Sequence, residues 1–291
     1  MTKDDPSHLQ SARHPLLVVF RRLPTSARLG AALVALALLA GLAGLVGFVP
    51  NDPYKFDFAN RFAAPAWDHW LGTDNLGRDI FSRVVIGSGI AMTVSIAGVG
   101  IAMILGLMVG TAAGFGPRWL DSTTIFLLDS LRTFPTILLA MLVVVIAGPS
   151  VFTILVIVVV SLVPGYARVA RTQTLALRNE TFILAERSLG ASPLRIICHH
   201  VIPNVFAPLL VIGCMDIPTV VAIEAGLSFI GLGVRPPEPS WGTLLQDGYV
   251  HVRATPWLLV AGSIPLALVT LGFTFLGEGL RDALDPKRRR S

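Results

Sequence analysis

Charge is what this chain has least of. Asp, Glu, Lys and Arg make up 14% of its 291 residues, against about 25% in an ordinary soluble domain. The shortfall comes from long stretches with no charge at all, which excludes a water-facing surface over much of the chain and suits a bilayer. Polar stretches long enough to fold around a core of their own are also missing, so one membrane domain with short tails is expected. Cysteine is nearly absent. Cys198 and Cys214 are the only two, and they lack metal-ligand spacing, so they read as free thiols rather than a disulfide or a metal site. No G-x-x-x-x-G-K-[ST] run is present, so the chain should not bind or hydrolyse ATP itself. H-E-x-x-H and Gly-x-Ser-x-Gly are missing as well. His199-His200 is a weak metal signal, because adjacent residues diverge by about 100° on a helix. No catalytic residue, metal or cofactor is expected.

What is there is apolar. Hydrophobic residues make up 53% of the chain. Residues 29–49, 84–115, 133–167, 205–232 and 256–277 are uncharged or nearly so. The run 133–167 is too long for one ordinary span, and Gly148-Pro149-Ser150 breaks it into a helical hairpin. Its first arm should begin near Ser122 as a partly amphipathic helix. The result is an all-α polytopic membrane protein of six transmembrane helices. Gly106, Gly110 and Gly114 repeat on one face of the second span, where another backbone can approach closely.

Basic residues set the orientation. With the N-terminus inside, inner segments hold five Lys/Arg (1–28), two (116–132), five (168–204) and five (278–291). Outer segments hold four (50–83), none (148–150) and two (233–255). The split of 17 against 6 places both termini in the cytoplasm. It also accounts for the net charge of +5 without nucleic acid. A signal peptide is the alternative for the first span. The leader and apolar core are both long for one, and no small-residue cleavage site follows. The domain division is then a tail (1–28), a transmembrane domain (29–277) with an inner loop (168–204), and a basic tail (278–291).

That inner loop is the most informative segment. It contains Asn179 to Asn204, reading NETFILAERSLGASPLRIICHHVIPN. Residues 179–189 favour helix. Gly190 suits the left-handed turn just past a helix end. Ser192-Pro193 reads as an N-cap followed by Pro at the first helical position, and Pro203 should end the second helix. Two short helices joined by a glycine turn are expected. Phe182, Ile183, Leu184 and Leu189 make the unit more apolar than a solvated loop needs, which suggests a partner groove. An amphipathic segment on the membrane surface and a DNA-binding helix-turn-helix are the other readings.

The same stretch resembles the EAA loop of ABC importer permeases, which runs Glu-Ala-Ala, three residues, Gly, then nine residues before Ile-x-Leu-Pro. Here Ala185, Gly190 and Pro203 match, Leu184 replaces the Glu, and Glu186 stands where Ala is usual. Two further blocks resemble the C-type subunit of the dipeptide, oligopeptide and nickel importer permeases. One is Leu71-Gly-Thr-Asp-Asn-Leu-Gly-Arg-Asp-Ile-Phe-Ser-Arg83. The other begins Glu224-Ala-Gly-Leu-Ser-Phe-Ile-Gly-Leu-Gly233, continues through Pro236-Pro237-Glu-Pro239-Ser-Trp241-Gly242 and ends with Gly279-Leu-Arg-Asp-Ala-Leu-Asp-Pro286. The resemblance implies a five-helix type I importer core plus an N-terminal helix, in a bacterial inner membrane. It implies a second homologous permease subunit, two ATP-binding cassette ATPases, an extracytoplasmic solute-binding protein and a peptide solute as partners. It also implies ATPase coupling through Phe182, Ile183, Leu184, Ala185, Glu186, Leu189, Gly190 and Pro203.

Asp216 and Glu224 lie inside an apolar span, where a carboxylate costs about 2.5–3.5 kcal/mol or more. Their directions differ by about 80°, so both could border one cavity, with Pro208 and Pro218 bending the helix nearby. A lining of the solute path and a pairing with a neighbouring helix are the two readings. On the outer side, Trp67, Trp70 and the segment Pro236–Trp241 read either as a dock for the binding protein or as a cap on the permease. A secondary transporter would show inverted repeats, and none is convincing. An intramembrane enzyme needs facing catalytic groups, yet these two acids share one helix. Nickel or another small solute remains the alternative to peptide.

Overall fold

In the computed structural model, residues 25–284 are described. Most of the expected N-terminal tail, and the end of the C-terminal one, lie outside them. Helix α1 spans Thr25–Leu45. A polar segment containing one 3-10 turn, Phe58–Asn60, leads to α2, Ile80–Phe115. Asp79 caps α2 by accepting from the Ser82 N–H at 2.8 Å, which satisfies a donor the helix start leaves free. At 36 residues, α2 is about 54 Å long. It therefore protrudes beyond a hydrocarbon core of about 30 Å.

Helices α3 (Arg118–Arg132) and α4 (Thr136–Ala147) are bent by 86° at Thr133–Pro135. The expected first arm is thus two helices. Pro135 lacks an N–H and disfavours a helical Phe134, so the chain turns there. The hairpin turn forms as expected. Gly148 adopts φ +75°, and Ser150 caps α5, Val151–Leu177, through the Thr153 N–H. Among the described residues, five helices are long and apolar enough to cross alone, and the bent pair α3–α4 passes the same test only when its two halves are taken together.

Helix α6 covers Thr181–Ser188, and α7 covers Pro193–Ile196. The expectation at Pro203 is corrected here. Helix α7 continues through a wide π-turn, Ile197–Val201, into α8, Ile202–Phe229, with Pro203 in its first turn. The Ile202 N–H reaches back to Ile197 O. A wide turn makes room for a proline ring that would clash in a regular helix. The loop is one short helix, a turn, and the foot of a span. Helices α9 (Trp241–Val250) and α10 (Trp257–Leu284) complete the bundle.

Helix α2 is the hub, packed on α1, α5, α8, α9 and α10. Its glycine face meets α5, as expected. A Cβ on Gly110 would lie 2.2 Å from Ala167 O, and one on Gly106 would lie 2.3 Å from Tyr166 Cβ. Only a hydrogen at these positions lets the two backbones approach so closely.

Candidate functional site

At the end of the bundle that carries α6, the chain closes a Schellman turn. The Gly190 N–H donates to Arg187 O and the Ala191 N–H to Glu186 O, both at 3.0 Å. Gly190 takes φ +83°, the left-handed conformation this motif requires. Ser192 then caps α7, with Pro193 at its first position. The unit is clamped to the bundle on one side. Ile183 is fully buried in the core with Ile196 and Val201. Arg187 lies over the Phe115 ring at 4.9 Å. His200 meets Glu186 at 3.5 Å and the Phe182 ring edge-on.

The other side is open. Leu189 is 85% exposed and Leu194 is 74% exposed. Phe182, Leu184, Ala185 and Pro203 are exposed as well. Ile183 is therefore corrected from an outward apolar anchor to an internal one, since it is the residue of α6 that is buried against the bundle. Leu194 was missed by the sequence reading, although its place just after Pro193 at the start of a helix was a signal.

Midway along α5 and α8, the Tyr166 hydroxyl donates to Asp216 Oδ2 at 2.7 Å. Tyr166 is buried and Asp216 half-buried. Tyr166 was also missed, hidden in an uncharged run. A cleft of about 490 Å³ separates α4 from α8 and is lined by Thr136, Thr219, Ala222, Ile223 and Gly226.

Neither Asp216 nor Glu224 lines that cleft. Glu224 is fully buried, and the Ser228 hydroxyl donates to its Oε1 at 2.8 Å. Ser228 Oγ also accepts from the Val234 N–H. The expectation that both acids line one cavity is corrected. Asp216 is half-buried against Tyr166, while Glu224, through Ser228, ties the end of α8 to the segment before α9.

The opposite end is a polar knot. Asp74 is buried and accepts from Arg78 Nε at 2.7 Å, with Arg83 Nε at 3.5 Å. Asp79 holds His69 and Ser82. Tyr54 donates to Glu238 at 2.9 Å, joining the segment before α2 to the one before α9. Burial, then the Glu238 carboxylate, push this phenol up to about 12. Burial also raises Asp247, against the pull of Arg83. Trp241 is buried, and its Nε1–H reaches Val84 O. Trp67, by contrast, is 95% exposed. Among the described residues, no group of three or more His, Cys, Asp or Glu side chains could hold a metal ion.

Residues 102–290 match the family described as binding-protein-dependent transport system inner membrane component. The chain is 39% identical over 231 residues to the dipeptide transport system permease protein DppC of Alkalihalophilus pseudofirmus, covering 79% of this chain and 76% of that protein. It is 35% identical over 283 residues to the glutathione transport system permease protein GsiD of Escherichia coli O1:K1, covering 97% and 93%. Among solved structures, an inward-facing form of the MetNI methionine ABC transporter aligns with a TM-score of 0.57 at 20% identity, covering 70% of this chain and 97% of that one. A second inward-facing form gives 0.58 at 18% identity, covering 71% and 98%. At such identity the likeness speaks for the fold. The matched segment and the relatives lead to one conclusion: the chain is a multi-pass membrane protein of the binding-protein-dependent transport system inner membrane component family.

Proposed function

We propose that this chain is one permease subunit of an ATP-driven importer of peptides, forming half of the pathway while separate ATPase chains supply the energy. The observation that carries the reading is the clamped α6–Gly190–α7 unit with Leu189 and Leu194 presented outward. The sequence has no phosphate loop, so force must arrive from another chain through a rigid contact. Clamped by Ile183 and Arg187, this unit can pass a push directly into α8 and, through Leu177–Arg178, into α5. Tilting of those spans would move the Asp216–Tyr166 pair and the α4–α8 cleft, as alternating access requires. A second permease subunit would close the pathway, and a binding protein would deliver solute to the opposite end near Trp67 and Trp70. Both termini and the α6 end lie in the cytoplasm on the 17-to-6 basic asymmetry. Peptide is the solute class because relatives are named for dipeptide and glutathione transport.

The test is co-purification of the ATPases with the subunit, paired with dipeptide uptake by the reconstituted complex. Leu189→Asp with Leu194→Asp should release the ATPases while the subunit still inserts, because charge in an apolar groove is left unpaired. Full ATPase attachment and normal uptake in that variant would overturn the coupling role.

A further inference from the structure

Helices α2, α3 and α5 enclose a cleft of about 300 Å³ at the level where α2 ends. Gly116, Arg118, Asp121, Arg178 and Asn179 line it. The one carboxylate in it is already matched: Arg171 grips Asp121 with two hydrogen bonds, the Nη2–Oδ2 one at 2.7 Å. Arg118 and Arg178 are the additional cations facing the same opening, with the Asn179 amide beside them. Arg178 also donates to Gly114 O at 3.4 Å, which holds its side chain across the cleft.

The surroundings indicate what fills it. The cleft sits at the end of two spans, so it lies at a membrane surface. Helix α3, which forms one wall, turns 86° from α4. It exposes Trp119 at 70%, Phe126 at 70% and Leu127 at 56%. A helix with such an apolar face, opened by Arg118 and closed by Arg132, suits the headgroup layer. Basic pockets between spans at that depth take lipid phosphates. From this we infer that the cleft binds the phosphate of an anionic phospholipid, held by Arg118 and Arg178, with the acyl chains running along the apolar face of α3. The site tethers the α3–α5 corner to the leaflet beside α6.

Native mass spectrometry of the purified full-length chain tests this with phosphatidylglycerol, phosphatidylcholine and inorganic phosphate as probes. Wild type should retain phosphatidylglycerol in preference to phosphatidylcholine. The Arg118→Gln, Arg178→Gln pair should lose that preference by about fivefold per arginine. The Arg118→Lys, Arg178→Lys pair should keep most of it, which separates lost charge from lost folding. Arg235→Gln, at the opposite end, should change nothing. An unchanged preference in the glutamine pair overturns the inference. Displacement of the lipid by inorganic phosphate would make this a soluble-phosphate site instead. If the glutamine pair kept the lipid but lost the ATPase chains, the arginines would belong to a protein contact and the lipid assignment would fall.

Discussion

Tyr166 and Asp216, fifty residues apart in sequence, meet in a 2.7 Å hydrogen bond between α5 and α8. The phenol satisfies one oxygen of an acid that the bilayer would otherwise penalise. It also locks together the two spans that flank the α6 unit. Tyr166→Phe should lower thermal stability by about 1 kcal/mol or somewhat more, since the carboxylate loses its donor. Asp216→Ala should slow uptake while the complex stays assembled. Normal uptake by both variants would leave the pair a purely structural tie.

Glu224 should behave differently. With its side chain fully buried against Ser228, Glu224→Ala opens a cavity and orphans a hydroxyl, costing about 1–3 kcal/mol. Glu224→Gln retains an acceptor for Ser228 and should melt and transport close to wild type. Loss of uptake in Glu224→Gln at unchanged stability would return this acid to the solute path.

Gly190 tests coupling through backbone alone. A Cβ there meets nothing within 4 Å, so steric contact is irrelevant and the φ of +83° decides the outcome. Gly190→Val should abolish solute-stimulated ATP hydrolysis in the reconstituted complex, because a β-branched residue is strongly disfavoured at positive φ. Gly190→Asn should retain most of it, since Asn tolerates the left-handed region. Equal stimulation in Val and wild type, with ATPases attached, would show that the turn is not the lever.

Orientation can be read by cysteine labelling in intact cells. Cys198 is exposed and must first be replaced, along with Cys214. A cysteine placed at Ser192 should then resist an impermeant reagent from outside and react once cells are opened. Outside labelling would reverse the topology.

Much of this protein was legible in its sequence. Run length marked the spans, because a bilayer tolerates few charges across about 20 residues whatever the fold. Gly148, Gly190 and Ser192 announced their turns and cap, since those requirements are local to a few residues. The motif blocks also pointed to the family. Three features were beyond its reach. A span that is apolar on every face carries no mark of which side is buried, so only packing could separate Glu224, sealed by Ser228, from Asp216, half-open beside Tyr166. Ile183 and Leu184 are equally apolar neighbours, yet the docking angle of α6 buries one and exposes the other. Pro203 reads as a stop, but the widened π-turn from Ile197 to Val201 lets the helix continue into α8. Local chemistry determined the spans, caps and turns. The direction each helix face points depends on how the helices pack on one another, as where Tyr166 meets Asp216 from fifty residues away, and tertiary packing alone decided it.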